Sequence, residues 1–128
     1  MSYHFSKTVS MASPAAVEKV TAELTAHGFG ILTRIDVQQT LEAKLGVGFR
    51  PYLILGACNP PFAYRALQTE DKVGTMLPCN VIVQQRDGGT IEISAVDPVA
   101  SMAAIDNAEL AAVAGGGRDM LRAVVDAV

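Results

Sequence analysis

The chain has 128 residues, of which 50% are hydrophobic and 18% charged, and its formal net charge is −3. That length holds one domain with a real core, against roughly 100–200 residues for a typical domain, and the composition is too apolar and too weakly charged for a disordered chain. The acidic balance comes without a long run of one sign, which argues against nucleic acid as a partner, and no apolar run approaches the ~18 residues of a membrane helix.

Tyr3, Phe5 and Val9 alternate with His4, Ser6 and Thr8, the period of a strand with one buried face, and Lys7 interrupts the apolar side as in an edge strand. Residues 1–7 lack the apolar core of a signal peptide, so a cytoplasmic location is expected. Ser13 offers a hydroxyl cap and Pro14 a preset first helical position. Val17, Val20 and Leu24 then recur at helical spacing until Gly28 closes the segment. Phe29, Ile31, Ile35 and Val37 alternate with Gly30, Arg34 and Asp36, predicting a second strand paired with the first. Val37, Leu41 and Leu45 give a short helix that stops at Gly46. Tyr52-Leu53-Ile54-Leu55 is apolar on both faces, as a central strand covered on both sides would be.

Asn59 caps a third predicted helix, with Pro60 and Pro61 in its first turn and Phe62, Ala63, Ala66 and Leu67 as its buried stripe. Val81 and Val83 are followed across Asp87-Gly88-Gly89 by Ile91 and Ile93, which is a β-hairpin pattern. Asp97-Pro98 ends the sheet, and the remainder is alanine-rich and helical. Gly115-Gly116-Gly117 lies inside that last helix, and at about 1 kcal/mol per glycine relative to alanine the triplet predicts a break or a loose joint. The order β-α-β-α-β-α-β-β-α predicts a single α+β domain over residues 1–128, a mainly antiparallel sheet of about five strands with helices packed on it. If helices cover one face, the doubly apolar strand needs another cover, and a second copy of the chain is the economical one. A homodimer is therefore the expected assembly.

Two cysteines in a chain of this length are no disulfide framework, so free thiols are expected. They stand in two unusual segments, Gly56-Ala57-Cys58-Asn59-Pro60-Pro61 and Leu77-Pro78-Cys79-Asn80. Cys58 ends a strand one residue before a helix cap, where backbone N–H groups and the helix dipole favour negative charge, and Cys79 opens the next strand. Antiparallel pairing brings the two to one end of the sheet, whereas parallel pairing separates them. Cys58, Asn59, Cys79 and Asn80 are thus the candidate ligand-binding residues. Plainer roles stand beside these: cysteine is among the most buried residue types, Asn59 serves as a helix cap, and Asn80 suits a side chain that bonds the backbone.

Three functions follow. The first, placed ahead of the others, is a non-enzymatic module that binds a small molecule or a soft metal beside the cysteines. The second is a thiol redox enzyme or sensor in which Cys58 attacks and Cys79 resolves, although neither a Cys-X-X-Cys motif nor a histidine base supports it. The third is a structural or interaction domain with core cysteines. Met76, three residues before Cys79, adds a thioether that suits Cu(I), while zinc-finger spacing is absent and neither His4 nor His27 has a ligand partner nearby in sequence. Gly115-Gly116-Gly117-Arg118 matches neither a P-loop nor a dinucleotide fingerprint, and Asp36, Glu92 and Asp97 are not paired for acid–base work. No motif names a catalytic residue or a cofactor.

The pair Ile54-Leu55-Gly56-Ala57-Cys58-Asn59-Pro60 and Leu77-Pro78-Cys79-Asn80-Val81-Ile82-Val83 resembles the bacterial and archaeal family catalogued as domain of unknown function 302. The likeness extends through Thr40-Leu41-Glu42-Ala43-Lys44-Leu45-Gly46, Phe49-Arg50-Pro51-Tyr52 and Asp97-Pro98, and so spans residues 3–127. The resemblance implies helices on an antiparallel sheet, commonly in a dimer, with no established activity, substrate or cofactor. Its pattern singles out Gly56, Cys58, Asn59, Pro60, Pro78, Cys79 and Asn80. The chain departs from it at Gly115-Gly116-Gly117, where such proteins tend to continue a charged helix.

Overall fold

Residues 2–128 are described by the computed structural model, and their first element is strand β1 (His4–Val9). Four more strands follow, β2 (Gly30–Asp36), β3 (Tyr52–Cys58), β4 (Cys79–Gln85) and β5 (Ile91–Val96), in one sheet of order β1-β5-β4-β3-β2. Every neighbouring pair is antiparallel, and β1 lies at an edge as Lys7 implies. The expected pairing of the first two strands is not made. β1 pairs with β5 and β2 with β3, at opposite edges. Helix α1 (Ser13–Ala26) joins them as a crossover, and strands so connected run parallel and need not be neighbours.

The glycine turn works as the sequence implies. Gly88 and Gly89 take φ of 84° and 82°, which only glycine adopts freely, and the Arg86 N–H donates to the Thr90 carbonyl at 2.7 Å to close the β4–β5 hairpin. Helix α2 (Val37–Leu45) starts where the Asp36 carboxylate accepts the Gln39 N–H at 3.0 Å and stops at Gly46. In α1 the cap differs from expectation. Ala12 occupies that position without a side-chain bond, and Ser13 is already helical.

Strand alternation sorts the residues onto two faces. Leu55, Val81, Ala95 and Phe5 are successive partners across β3, β4, β5 and β1, and with Leu53, Val83 and Ile93 they form the helix-covered face. Against it pack Ala16, Val20 and Leu24 of α1, Phe62 and Ala66 of α3 (Pro60–Thr69), and Leu110, Ala114, Leu121 and Val124 of α5 (Ala108–Ala127), all buried. Each large aliphatic side chain so buried contributes about 1.5–3 kcal/mol, so this face carries most of the stability. On the other face Tyr52, Ile54, Ile82 and Val96 are half-buried and Ile35 is 46% exposed. In α3 the buried stripe is narrower than the sequence implies, because Leu67 is 47% exposed.

The glycine triplet does not break the last helix. α5 runs unbroken through Gly115, Gly116 and Gly117, so neither a loose joint nor a phosphate-holding loop exists there. A Cβ on Gly117 would lie 2.8 Å from Cε2 of Phe62, so this glycine lets α3 and α5 approach. Gly115 and Gly116 have nothing within 4 Å of an added Cβ, and their propensity penalty is offset by the buried residues on either side. A short helix, α4 (Pro98–Ser101), precedes α5 and is capped by Asp97, whose carboxylate accepts the Val99 N–H at 2.9 Å.

Candidate functional site

Antiparallel pairing of β3 and β4 sets Ala57 opposite Cys79, one residue from Cys58, so both cysteines stand at one end of the sheet. No disulfide joins them in the structure. Cys58 is half-buried and Cys79 is 3% exposed. With Ala57 they line a concavity of about 200 Å³, to which α3 adds Phe62, Ala63 and Leu67. Leu32 of β2 and the Leu77-Pro78 segment before β4 complete the apolar wall, and Asn59 also lines it.

Two local features hold this end together. A Cβ on Gly56 would collide with the Thr33 hydroxyl and lie 2.8 Å from Cγ of Pro78, so β2 and the cis Leu77-Pro78 segment close on β3 because residue 56 has no side chain. Asn59, 8% exposed, accepts the Phe62 N–H at 3.1 Å, and its Nδ2 donates to Sδ of Met120 at 3.6 Å. Its amide therefore caps α3 and ties that cap to α5.

The structure brings Cys58, Asn59 and Cys79 together and leaves Asn80 apart. Asn80 is exposed and paired with Gly56, and it lines a different concavity of about 260 Å³ with Tyr3, Tyr52, Ile82 and Val96. Met76 is 40% exposed and does not line the cysteine cavity. Among the described residues, no three of His, Cys, Asp and Glu are grouped as a metal would require. Leu77 and Pro78 lie in the second cysteine segment, whereas Leu32 was not among the residues singled out. Leu32 follows Ile31 directly where the β2–β3 register shifts between Ile31 and Thr33, and that apolar doublet was the available signal.

Burial pushes the Cys79 thiol from 9.0 to about 11, and the neighbouring Cys58 adds to the effect in the same direction. Taking a thiolate out of water is unfavourable, so Cys79 keeps its proton at neutral pH. A protonated thiol is a poor nucleophile and a poor partner in disulfide exchange.

The model of the family described as Domain of unknown function DUF302 matches residues 5–128. The chain belongs to this family. It is also similar to a crystal structure of an uncharacterized conserved DUF302 protein from Bacillus stearothermophilus, with 31% identity, 98% of each chain covered and a TM-score of 0.92. No curated protein matches the chain. The five-stranded antiparallel sheet with helices packed on it is thus the fold of a DUF302 domain. No helix among the described residues is long and apolar enough to cross a membrane.

Proposed function

We propose that this DUF302 domain is a binding module whose cysteine-bearing cavity takes a small, uncharged, apolar molecule. The cavity's composition carries this reading: about 200 Å³ walled by Leu32, Phe62, Ala63, Leu67, Leu77 and Pro78, with no charged side chain. Dry apolar cavities of about 150 Å³ take up benzene-sized molecules, so this volume suits a ligand of roughly six to ten non-hydrogen atoms. The thiols supply polarisable contact. A protonated Cys79 speaks for binding over thiol redox chemistry, and over a soft metal, whose thiolate ligands must first lose their protons. Toluene or indole at ten times its Kd is expected to stabilise the fold by about 1.4 kcal/mol, a rise in Tm of about 5 °C. Ala63→Leu, which fills the cavity, should abolish that rise. An unchanged Tm with both probes, or an equal response in the variant, would sink the reading.

For the sheet face opposite the helices, we propose a second copy of this chain as partner. Ile35, Ile54 and Ile82 stand there on adjacent strands, with Tyr52 and Val96 beside them, on the face that α1, α3 and α5 do not cover. A patch centred on one sheet can meet its own copy about a two-fold axis, and a stable interface needs about 800 Å² from each partner. Sedimentation equilibrium at micromolar concentration should give twice the 13.4 kDa chain mass, and Ile82→Glu should return the single mass with the fold retained. A 13.4 kDa wild-type species would rule the dimer out.

A further inference from the structure

We infer that the chain carries a second, separate site: a cleft for small organic anions between β1, α4 and α5. The cleft has a volume of about 430 Å³, within the roughly 300–1,000 Å³ of small-molecule sites. Phe5, Val99, Ala100 and Ala103 supply its apolar surface, and Arg118 and Arg122 its charge. It lies at the β1 edge of the sheet and shares no lining residue with the cysteine cavity.

The two arginines are four residues apart on α5, so both leave the same face of the helix. Cζ of Arg122 stands 4.5 Å from the centroid of the Phe5 ring, and Cζ of Arg118 stands 6.0 Å from it. Stacking on an aromatic face holds a guanidinium plane in place and leaves its N–H edge free to donate. Arg118 Nε lies 3.6 Å from Oδ2 of Asp97, whose other oxygen is engaged by the Val99 N–H. Among the described residues this is the one ion pair in the cleft, so Arg122 faces it without a carboxylate partner. Two guanidiniums against one carboxylate leave the cleft positive on a chain whose net charge is −3.

This combination selects its ligand by chemistry. The guanidinium fork matches the paired oxygens of a carboxylate or phosphate, and the apolar surface beside it offers nothing to a fully hydrated inorganic ion. The ligand class is therefore a carboxylate or phosphate group on a small apolar body. Asp97 both caps α4 and holds one edge of Arg118, which sets the position of the first arginine before any ligand arrives.

Titration of isotope-labelled protein with benzoate, phenyl phosphate and inorganic phosphate tests this by NMR. Benzoate or phenyl phosphate should shift the amide resonances of Phe5 and residues 99–103 saturably, the tighter of the two identifying the head group, and inorganic phosphate should bind at least about tenfold more weakly. Arg122→Gln should weaken binding about 10- to 100-fold, the range set by loss of a charge-assisted hydrogen bond, and Arg122→Lys should fall between. Arg122 is exposed, so its variants keep the fold, which an otherwise unchanged spectrum checks. Arg118→Gln leaves the buried Asp97 unpaired and is the less direct variant. The inference is overturned if neither organic anion shifts these resonances, if inorganic phosphate binds as tightly as they do, or if Arg122→Gln binds like the wild type.

Discussion

Phe62→Ala is expected to lower the unfolding free energy by about 3–5 kcal/mol, a large share of the ~5–15 kcal/mol that holds a domain of this size together. Phe62 is 2% exposed, and it is the side chain on which α3 and α5 meet at Gly117. The same contact fixes the glycine. In the wild type, Gly117→Ala gains about 1 kcal/mol of helix propensity and loses about 1–3 kcal/mol to overpacking, for a net loss of about 1 kcal/mol. In the Phe62→Ala background the overpacking disappears, and Gly117→Ala is expected to stabilise instead. Gly115→Ala and Gly116→Ala meet no neighbour and are each expected to stabilise the wild type by about 0.5–1 kcal/mol. Urea unfolding of the four-member cycle measures the coupling. If Gly117→Ala has the same effect with and without Phe62, helix contact is not the reason for this glycine.

These substitutions also mark where the sequence was readable. Local signals held at the Gly88-Gly89 turn, the Asn59 cap and the stop at Gly46, and failed at the Ser13 cap, where Ala12 stands instead. Each depends on atoms within a few residues. The glycine triplet misled because the contact that explains Gly117 comes from Phe62, on another helix. Strand partners misled for a related reason. A crossover helix fixes the direction of β2 relative to β1 but not its place in the sheet.

The site was half legible. Pairing of β3 with β4 placed the cysteines at one end, as an antiparallel sheet requires. Asn80 could have been set apart from the start, since adjacent residues in a strand point to opposite faces and Cys79 faces the core. The arginine cleft left no trace in the linear pattern. Phe5 comes from the first strand and Arg118 and Arg122 from the last helix, and only the fold stacks them.

Raising the pH to 11 is expected to cost the folded state about 2–3 kcal/mol through Cys79 alone, at about 1.36 kcal/mol for each pH unit between the native and unfolded pKa of its thiol. An unfolded thiol ionises near 9.0, whereas the buried one holds its proton to about 11. Between those values the unfolded chain has released a proton that the native chain still binds, so each rise in pH favours unfolding. The stabilisation is complete below pH 9 and is lost as the pH passes through about 11. Every other ionisable group is shared with Cys79→Ala, so the difference between the two proteins reports the Cys79 thiol. The wild type should therefore lose more stability between pH 8 and pH 11 than this variant, as urea midpoints read it. The kinetic counterpart is alkylation near pH 8, where the raised pKa leaves native Cys79 about 100-fold poorer in thiolate than the unfolded chain, so the half-buried Cys58 is modified first. If both cysteines react at the unfolded rate and the two pH profiles coincide, Cys79 is no resting thiol. The uncharged cavity then loses its premise, and a reactive pair of cysteines regains its place as the explanation for this end of the sheet.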